Sequence, residues 1–392
     1  MSAASANATE SKIDETLHKG IAARKIPCAV AAVANGKSTL YTGAFGTRDA
    51  SGIPVKTDSI FAIASMTKAI TSVAALQLVE QGKVQLDGPA SKYLKQLDGL
   101  QVLTGFDEKR SPQFRSAKVQ VTLKHLLTHT SGFCYDRWDE RMFAFSEWQG
   151  KNPVAAGGVG PLMFEPGSRW QYGQGIDWAG RLVEAVSGMS LEDYFQSKIL
   201  RPLEMADTSF ILPESKFERL VTRYERDSTG VLMPNHRAQP LAPKSYNGGG
   251  GLYATVADYV RFMQMILGGG RGVNGARIVS TATVKAMSTN QIGGLTAGKM
   301  KSFTPMQSSD VDIQPGHTEK WSLAFLLNTT KYDGGRSAGS LAWAGLYNTF
   351  YWIDPARNLC AVIMMQYLPF VDNEAVGMLG DFERAVYSQF KG

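Results

Sequence analysis

A chain of 392 residues, 44% hydrophobic and 19% charged, is long enough for a large core and too apolar for whole-chain disorder. Its formal charge of +6 is spread without a dense Lys/Arg run, which argues against a phosphate-tracking stripe and against a nucleic-acid partner. Three scattered cysteines, Cys28, Cys134 and Cys360, give neither metal-ligand spacing nor a disulfide framework, so no metal and no other cofactor is expected.

The first residues lack the charged and apolar regions of a signal peptide, and no apolar run approaches a membrane span. A cytoplasmic protein without a membrane partner is the expectation. In chain order, 11–25 reads as a helix, and 26–35 with 38–45 as a hairpin about Asn35-Gly36. A long helix follows from Ser65 to about Gln81 and stops at Gly82. From 86 to about 240, loops, short helices and aromatic residues dominate, with a helix over 122–130, a Gly-rich loop at 150–160, a helix over 176–186 and one capped by Ser190 and Asp193. Thr255 and Asp258 cap a further helix; strands over 321–328, 340–344, 347–353 and 359–366 and a helix over 373–390 close the chain.

Consecutive strands with short links imply an antiparallel sheet. The expected architecture is therefore α/β of the α+β type. Residues 1–85 and 240–392 would build a lobe around that sheet, 86–239 a mostly helical insertion, and the active site would lie between them.

The chemistry centres on Ser65-Met-Thr-Lys68. Three-residue spacing puts both side chains on one helix face, the hydroxyl at the positive end of the macrodipole. A desolvated lysine there can act as base toward the serine; a capping serine beside a solvated lysine is the plainer reading of spacing alone. A second Ser-x-x-Lys, Ser388 with Lys391, sits at the chain end with no helix after it. Gly335-Arg-Ser-Ala-Gly339 copies the Gly-x-Ser-x-Gly elbow, but a turn precedes it and a strand follows, so Ser337 reads as a hairpin residue.

His125 and His129 have i, i+4 spacing without the Glu of a His-Glu-x-x-His motif, and with five histidines in all no Ser-His-Asp triad has an obvious base. The Asn247–Gly251 run lacks either phosphate-loop pattern and reads as close backbone packing. Of three Tyr-x-Gln segments, those at Tyr194 and Tyr387 fall within amphipathic helices. Tyr172-Gly-Gln174 follows a Pro-Gly turn, where a loop can present a hydroxyl to a cleft.

Together, Ser65-Met-Thr-Lys68, Leu126-Leu-Thr-His-Thr-Ser-Gly132, Pro166-Gly-Ser-Arg-Trp-Gln-Tyr172, Gly248-Gly-Gly-Gly-Leu252 and Trp343-Ala-Gly345 resemble the serine β-lactamase and penicillin-binding-protein-like superfamily. The resemblance is strongest to the family VIII carboxylesterases and runs from about residue 13 to 390. It implies a nucleophilic Ser65, Lys68 and Tyr172 as a coupled acid/base pair, and an oxyanion hole from the backbone N–H groups of Ser65 and Leu346. It also implies substrate contacts from Tyr135, Gln174, Trp343 and Gly345, with Phe133, Trp138 and Trp148 extending an aromatic wall.

Two departures bear on the substrate, expected to be a small-molecule ester. Gln174 stands where the family commonly has Asn, and Trp343-Ala-Gly345 replaces the Lys-Thr-Gly of β-lactamases. An indole supplies no positive charge, so neutral short- to medium-chain esters are favoured over anionic lactams, with Arg336 as a source of residual β-lactam hydrolysis. The alternatives are a β-lactamase, a D-amino-acid peptidase, an acyltransferase to an alcohol and a non-catalytic acyl-binding sensor. The oligomeric state is not legible.

Overall fold

The computed structural model describes residues 3–151, 159–235, 243 and 245–390. Most of the loop expected at 150–160, and the expected boundary at 240, lie outside them. The helices are α1 (Ala3–Arg24), α2 (Thr67–Glu80), α3 (Leu123–Leu127), α4 (Glu140–Lys151), α5 (Gly175–Ser187), α6 (Leu191–Phe195), α7 (Val256–Leu267), α8 (Thr281–Met287) and α9 (Asn373–Gln389). The hairpin strands near the N-terminus are β1 (Cys28–Asn35) and β2 (Thr39–Gly46). Five later strands, β9 (Glu319–Trp321), β10 (Leu326–Asn328), β11 (Leu341–Gly345), β12 (Thr349–Asp354) and β13 (Leu359–Met364), complete a seven-stranded sheet.

Shorter strands are β3 (Phe61–Ala62), β4 (Gln101–Phe106), β5 (Pro112–Ser116), β6 (Arg223–Arg226), β7 (Leu232–Asn235), β8 (Tyr253–Ala254) and β14 (Tyr367–Leu368). The large sheet is antiparallel throughout, in the order β2-β1-β13-β12-β11-β10-β9. Both ends of the chain thus contribute to one sheet. β12 and β13 are buried at every residue, and β1 at all but its last, as their near-continuous apolar runs require of strands covered on both faces. α7 packs on β1 and β13, while α1 packs on α9 and β2.

Helix α2 is buried from Thr67 to Leu78, which identifies it as a central helix with no solvated face. It packs against α5, whose N-terminus follows Tyr172 directly. Start and stop signals behave as the sequence predicts: Gly82 has φ +68° after α2, and Ser190 and Thr255 cap the N-termini of α6 and α7.

Three expectations need correction. The strand expected over 321–328 is folded into a hairpin, β9 and β10, because Ser322 Oγ accepts from the N–H groups of Ala324 and Phe325 and turns the chain. Residues 86–239 contain the hairpins β4–β5 and β6–β7; β5 is almost wholly exposed, so no apolar alternation marked it. The helix over 122–130 ends at Leu127, and His129, at φ +57°, lies beyond it. His125 instead completes the capping box with Thr122, so the two histidines do not share a helix face.

Candidate active site

The chain enters α2 through a single 3-10 turn, Ala64–Met66, that carries Ser65. Ala64 holds φ +42°, a left-handed backbone that a side-chain-bearing residue adopts at a cost and that clusters at functional sites. One turn on, Lys68 is 1% exposed, and its ammonium nitrogen has three defined neighbours. These are Ser65 Oγ at 3.3 Å, Tyr135 Oη at 3.2 Å and the Gly249 carbonyl at 2.5 Å.

Two of those partners can only accept from Lys68. A carbonyl has no proton, and Tyr135 commits its own O–H to Asp177 Oδ2 at 2.9 Å. Burial, then the charge of Asp177, pushes the Tyr135 phenol well above its ordinary range, so it stays protonated. A neutral lysine amine has two N–H groups and one lone pair. Lys68 donates to Ser65 Oγ as well as to Tyr135 and Gly249; a neutral amine that kept the last two bonds would turn its lone pair to Ser65. After proton transfer, all three N–H groups of the ammonium have acceptors in place.

The glycine run makes this arrangement possible. A Cβ on Gly249 would meet the Asp177 carboxylate oxygens at 2.5 and 2.6 Å, and one on Gly248 would meet the Ile176 carbonyl at 2.8 Å. Asp177 Oδ1 accepts the Gly249 N–H at 3.0 Å, and Thr71 of α2 donates to the Gly248 carbonyl at 2.6 Å. The run is therefore clamped between α2 and α5, the close packing its composition suggested.

Tyr172 lies in the same pocket but outside the direct contacts of Lys68. Its Oη accepts the Trp343 indole N–H at 3.1 Å, and its ring centroid is 4.8 Å from Lys68 Nζ. Beneath it, buried His129 packs its ring at 4.6 Å and accepts the Gly173 N–H at 3.4 Å. Burial and the nearby Lys68 hold His129 well below its usual range, so it is a neutral packing partner with no contact to Ser65. Gly173 is required here because a Cβ would lie 1.8 Å from the Phe133 carbonyl.

Opposite Ser65, the end of β11 abuts the 3-10 turn. A Cβ on Gly345 would lie 2.4 Å from the Ile63 carbonyl, and among the described residues the next N–H, that of Leu346, has no backbone partner. Leu346 and Ser65 both line a cavity of about 320 Å³, with Tyr135, Trp138, Tyr172 and Trp343 among its walls.

Other expected contacts fall elsewhere. Gln174 is exposed and caps α5 through its carbonyl, outside the cavity wall, and Gly345 is covered by Thr349 and Ile63. Phe133 stacks on Trp178, and Trp148 stacks on Phe145 in a separate cluster. Arg336 is buried in a bidentate pair with Glu383, at 2.9 and 2.7 Å, so it cannot turn to a ligand in the cavity. Ser337 sits in the loop before β11, its N–H held by Asp354, and does not line the cavity. The sequence reading missed Asp177, the Gly249 carbonyl and Arg223, which lines the cavity; the sole hint was an acidic residue in the first turn of the helix after Tyr172-Gly-Gln174.

Residues 13–379 match the family described as Beta-lactamase. The chain belongs to the beta-lactamase family. Within that family it is 31% identical to the lovastatin esterase of Penicillium rubens over 355 residues, covering 86% of this chain and 87% of the relative. It is 27% identical to the monacolin J acid methylbutanoyltransferase of Aspergillus terreus over 400 residues, covering 97% and 96%. Unliganded simvastatin synthase from Aspergillus terreus superposes with a TM-score of 0.84 at 26% identity, covering 97% of this chain and 98% of that one. The beta-lactamase-family fold is thus shared with hydrolases and acyltransferases alike. No helix among the described residues is long and apolar enough to cross a membrane.

Proposed function

We propose that the protein is a serine acyl-transfer enzyme for carboxylic esters, forming an acyl-enzyme on Ser65 and passing the acyl group to an oxygen acceptor. The observation that carries this reading is Lys68 Nζ, buried and aligned on Ser65 Oγ with its other hydrogens already bonded. In acylation, Ser65 Oγ attacks the ester carbonyl carbon while its proton passes to Lys68. The N–H groups of Ser65 and Leu346 receive the oxyanion, a contribution worth about 10²–10³ in turnover for one such donor. As the C–O bond breaks, Tyr172 gives its phenol proton to the departing alcohol, and the Lys68 ammonium, 4.8 Å from the Tyr172 ring centroid, restores it. Tyr172 is suited to that step because the Trp343 N–H occupies its oxygen from one side and leaves the phenol proton to donate. The acceptor oxygen then attacks the acyl carbon as its proton passes to the same pair, and the pair returns a proton to Oγ as the bond from the acyl carbon to Ser65 breaks.

The acceptor is water in hydrolysis and an alcohol in transfer. Alcohol transfer, which extends the esterase expectation, is supported by the aromatic cavity wall, which shields the acyl-enzyme from bulk water and gives an organic acceptor a surface. It is also supported by near full-length similarity to a methylbutanoyltransferase. The test is product partitioning with 4-nitrophenyl butyrate, in which nitrophenol, butyrate and butyryl ester are counted with and without an added alcohol. Turnover that survives Ser65→Ala, or that follows Ser337→Ala instead, overturns the mechanism. Butyrate as sole product at every alcohol concentration would reduce the reading to an esterase.

A further inference from the structure

Replacement of a Lys-Thr-Gly segment by Trp343-Ala-Gly345 suggested an uncharged pocket, but the folded chain brings cations to it from elsewhere. Two guanidinium groups, Arg223 of β6 and Arg137, line the cavity, and none of the lining residues is Asp or Glu. Asp177, the carboxylate behind Tyr135, is committed to Tyr135 and the Gly249 N–H. Neither arginine forms an ion pair among the described residues. Arg137 donates twice to Gln307 Oε1 and lies over the Trp138 ring.

Arg223 is the more prepared of the two. Its Nη1 donates to Tyr347 Oη at 3.2 Å and its Nη2 to Tyr253 Oη at 3.4 Å, and its guanidinium lies 5.1 Å from the Tyr347 ring centroid. Both phenols also line the cavity. Each accepts from Arg223 and so keeps its own O–H to donate. A fixed planar cation flanked by two phenol donors is suited to an oxyanion with two oxygens, which a neutral ester does not offer. A partly buried cation without a counter-ion is costly, and the cost falls when a ligand provides one.

We infer that Arg223, Tyr253 and Tyr347 form a carboxylate-binding cradle, so that the ester or its acyl acceptor carries a carboxylate besides the reacting group. The inference rests on the acyl-transfer reading of Ser65 and sets its substrate class. The carboxylate belongs to the acyl part or to the alcohol part, and two matched pairs of substrates separate these. Mono-4-nitrophenyl glutarate against its methyl ester reports the acyl side, and 3-carboxyphenyl butyrate against its carboxamide reports the alcohol side.

In at least one pair the acid should exceed its neutral partner in kcat/KM. Arg223→Gln should reduce that ratio by about 10–100-fold, through KM more than kcat, as expected for a lost charge-assisted hydrogen bond. Arg223→Lys should restore part of it, and added salt should weaken it. The double variant Tyr253→Phe/Tyr347→Phe, which keeps the cation, should reduce the ratio by less than Arg223→Gln does. Equal kcat/KM within both pairs, or equal losses for both members in Arg223→Gln, would overturn the cradle. Absence of turnover on all four esters would instead count against the acyl-transfer reading. The cradle is then judged by calorimetry on Ser65→Ala with monoethyl glutarate against diethyl glutarate, where no preference for the acid overturns it.

Discussion

The Tyr135 phenol donates to Asp177 at 2.9 Å, and that single bond fixes which way the Lys68 amine faces. With its proton spent on the carboxylate, Tyr135 can only accept from Lys68, which leaves the third bonding direction of the lysine nitrogen turned toward Ser65. Asp177 is thereby linked to Ser65 through three hydrogen bonds without touching it.

Removing the relay should impair acylation more than folding. Tyr135→Phe and Asp177→Asn are each expected to lower the acylation rate about 10–10²-fold, the range of a misdirected general base. The double variant should cost little more than either single one, since both act through one lysine. Pre-steady-state bursts of nitrophenol measure this, and additive losses in the double variant would argue against a common path.

Proton delivery by Tyr172 makes a different prediction. Nitrophenolate departs without protonation, whereas an alkoxide does not. Tyr172→Phe should therefore slow ethyl or butyl esters by about 10²-fold more than 4-nitrophenyl esters. Trp343→Phe, which removes the indole donor to Tyr172, should show the same leaving-group bias in weaker form. Loss that is uniform across leaving groups would assign Tyr172 to positioning instead.

Gly345 sets the distance between β11 and the turn that carries Ser65. A Cβ there would lie 2.2 Å from Thr349 Oγ1 and 2.4 Å from the Ile63 carbonyl, so Gly345→Ala must push the two segments apart. The Leu346 N–H moves with β11, and kcat is expected to fall about 10²–10³-fold, as for one lost oxyanion donor. Substrate KM should change far less, which steady-state kinetics on a nitrophenyl ester would show.

Glu319 supplies a pH dependence of stability. Burial in β9 raises its carboxyl from 4.5 to about 7, with the Tyr332 phenol donating to it at 3.0 Å. The folded protein therefore holds a proton between about pH 4.5 and 7 that the unfolded chain releases. This contribution to stability is complete below about 4.5, declines as pH rises to about 7 and is gone above it. Its full size is about 3 kcal/mol. Glu319→Gln should flatten that slope and exceed the wild type in stability at pH 8. Urea denaturation midpoints at pH 5.5 and 8 check both statements.

The central strands and the Ser65 helix were legible because their signals are local. β1 and β13 are apolar runs long enough for one buried strand each, and Gly82 and Thr255 stop or start helices through their own backbone preferences. β5 was not legible, since it is exposed and held by pairing with β4 alone. His129 looked helical by spacing, yet it is the left-handed residue that ends α3, where the Thr130 N–H bonds back to the His125 carbonyl, and no glycine marked that stop.

By itself the sequence determined that Ser65 and Lys68 lie together, since a three-residue helical spacing places them on one face wherever the helix lies. It determined the sheet class through strand order and short links. The tertiary structure alone decided the lysine's other partners, because Tyr135, Asp177 and Gly249 are 67, 109 and 181 residues from Lys68 in the chain. It also decided the charge of the pocket. The residue at 343 forecast an uncharged wall, whereas Arg223 reaches that wall from a strand 120 residues earlier, and Arg336, near in sequence, is neutralised by Glu383. Charge in a pocket depends on which side chains converge in space and which are already paired, and neither is a local property of the chain.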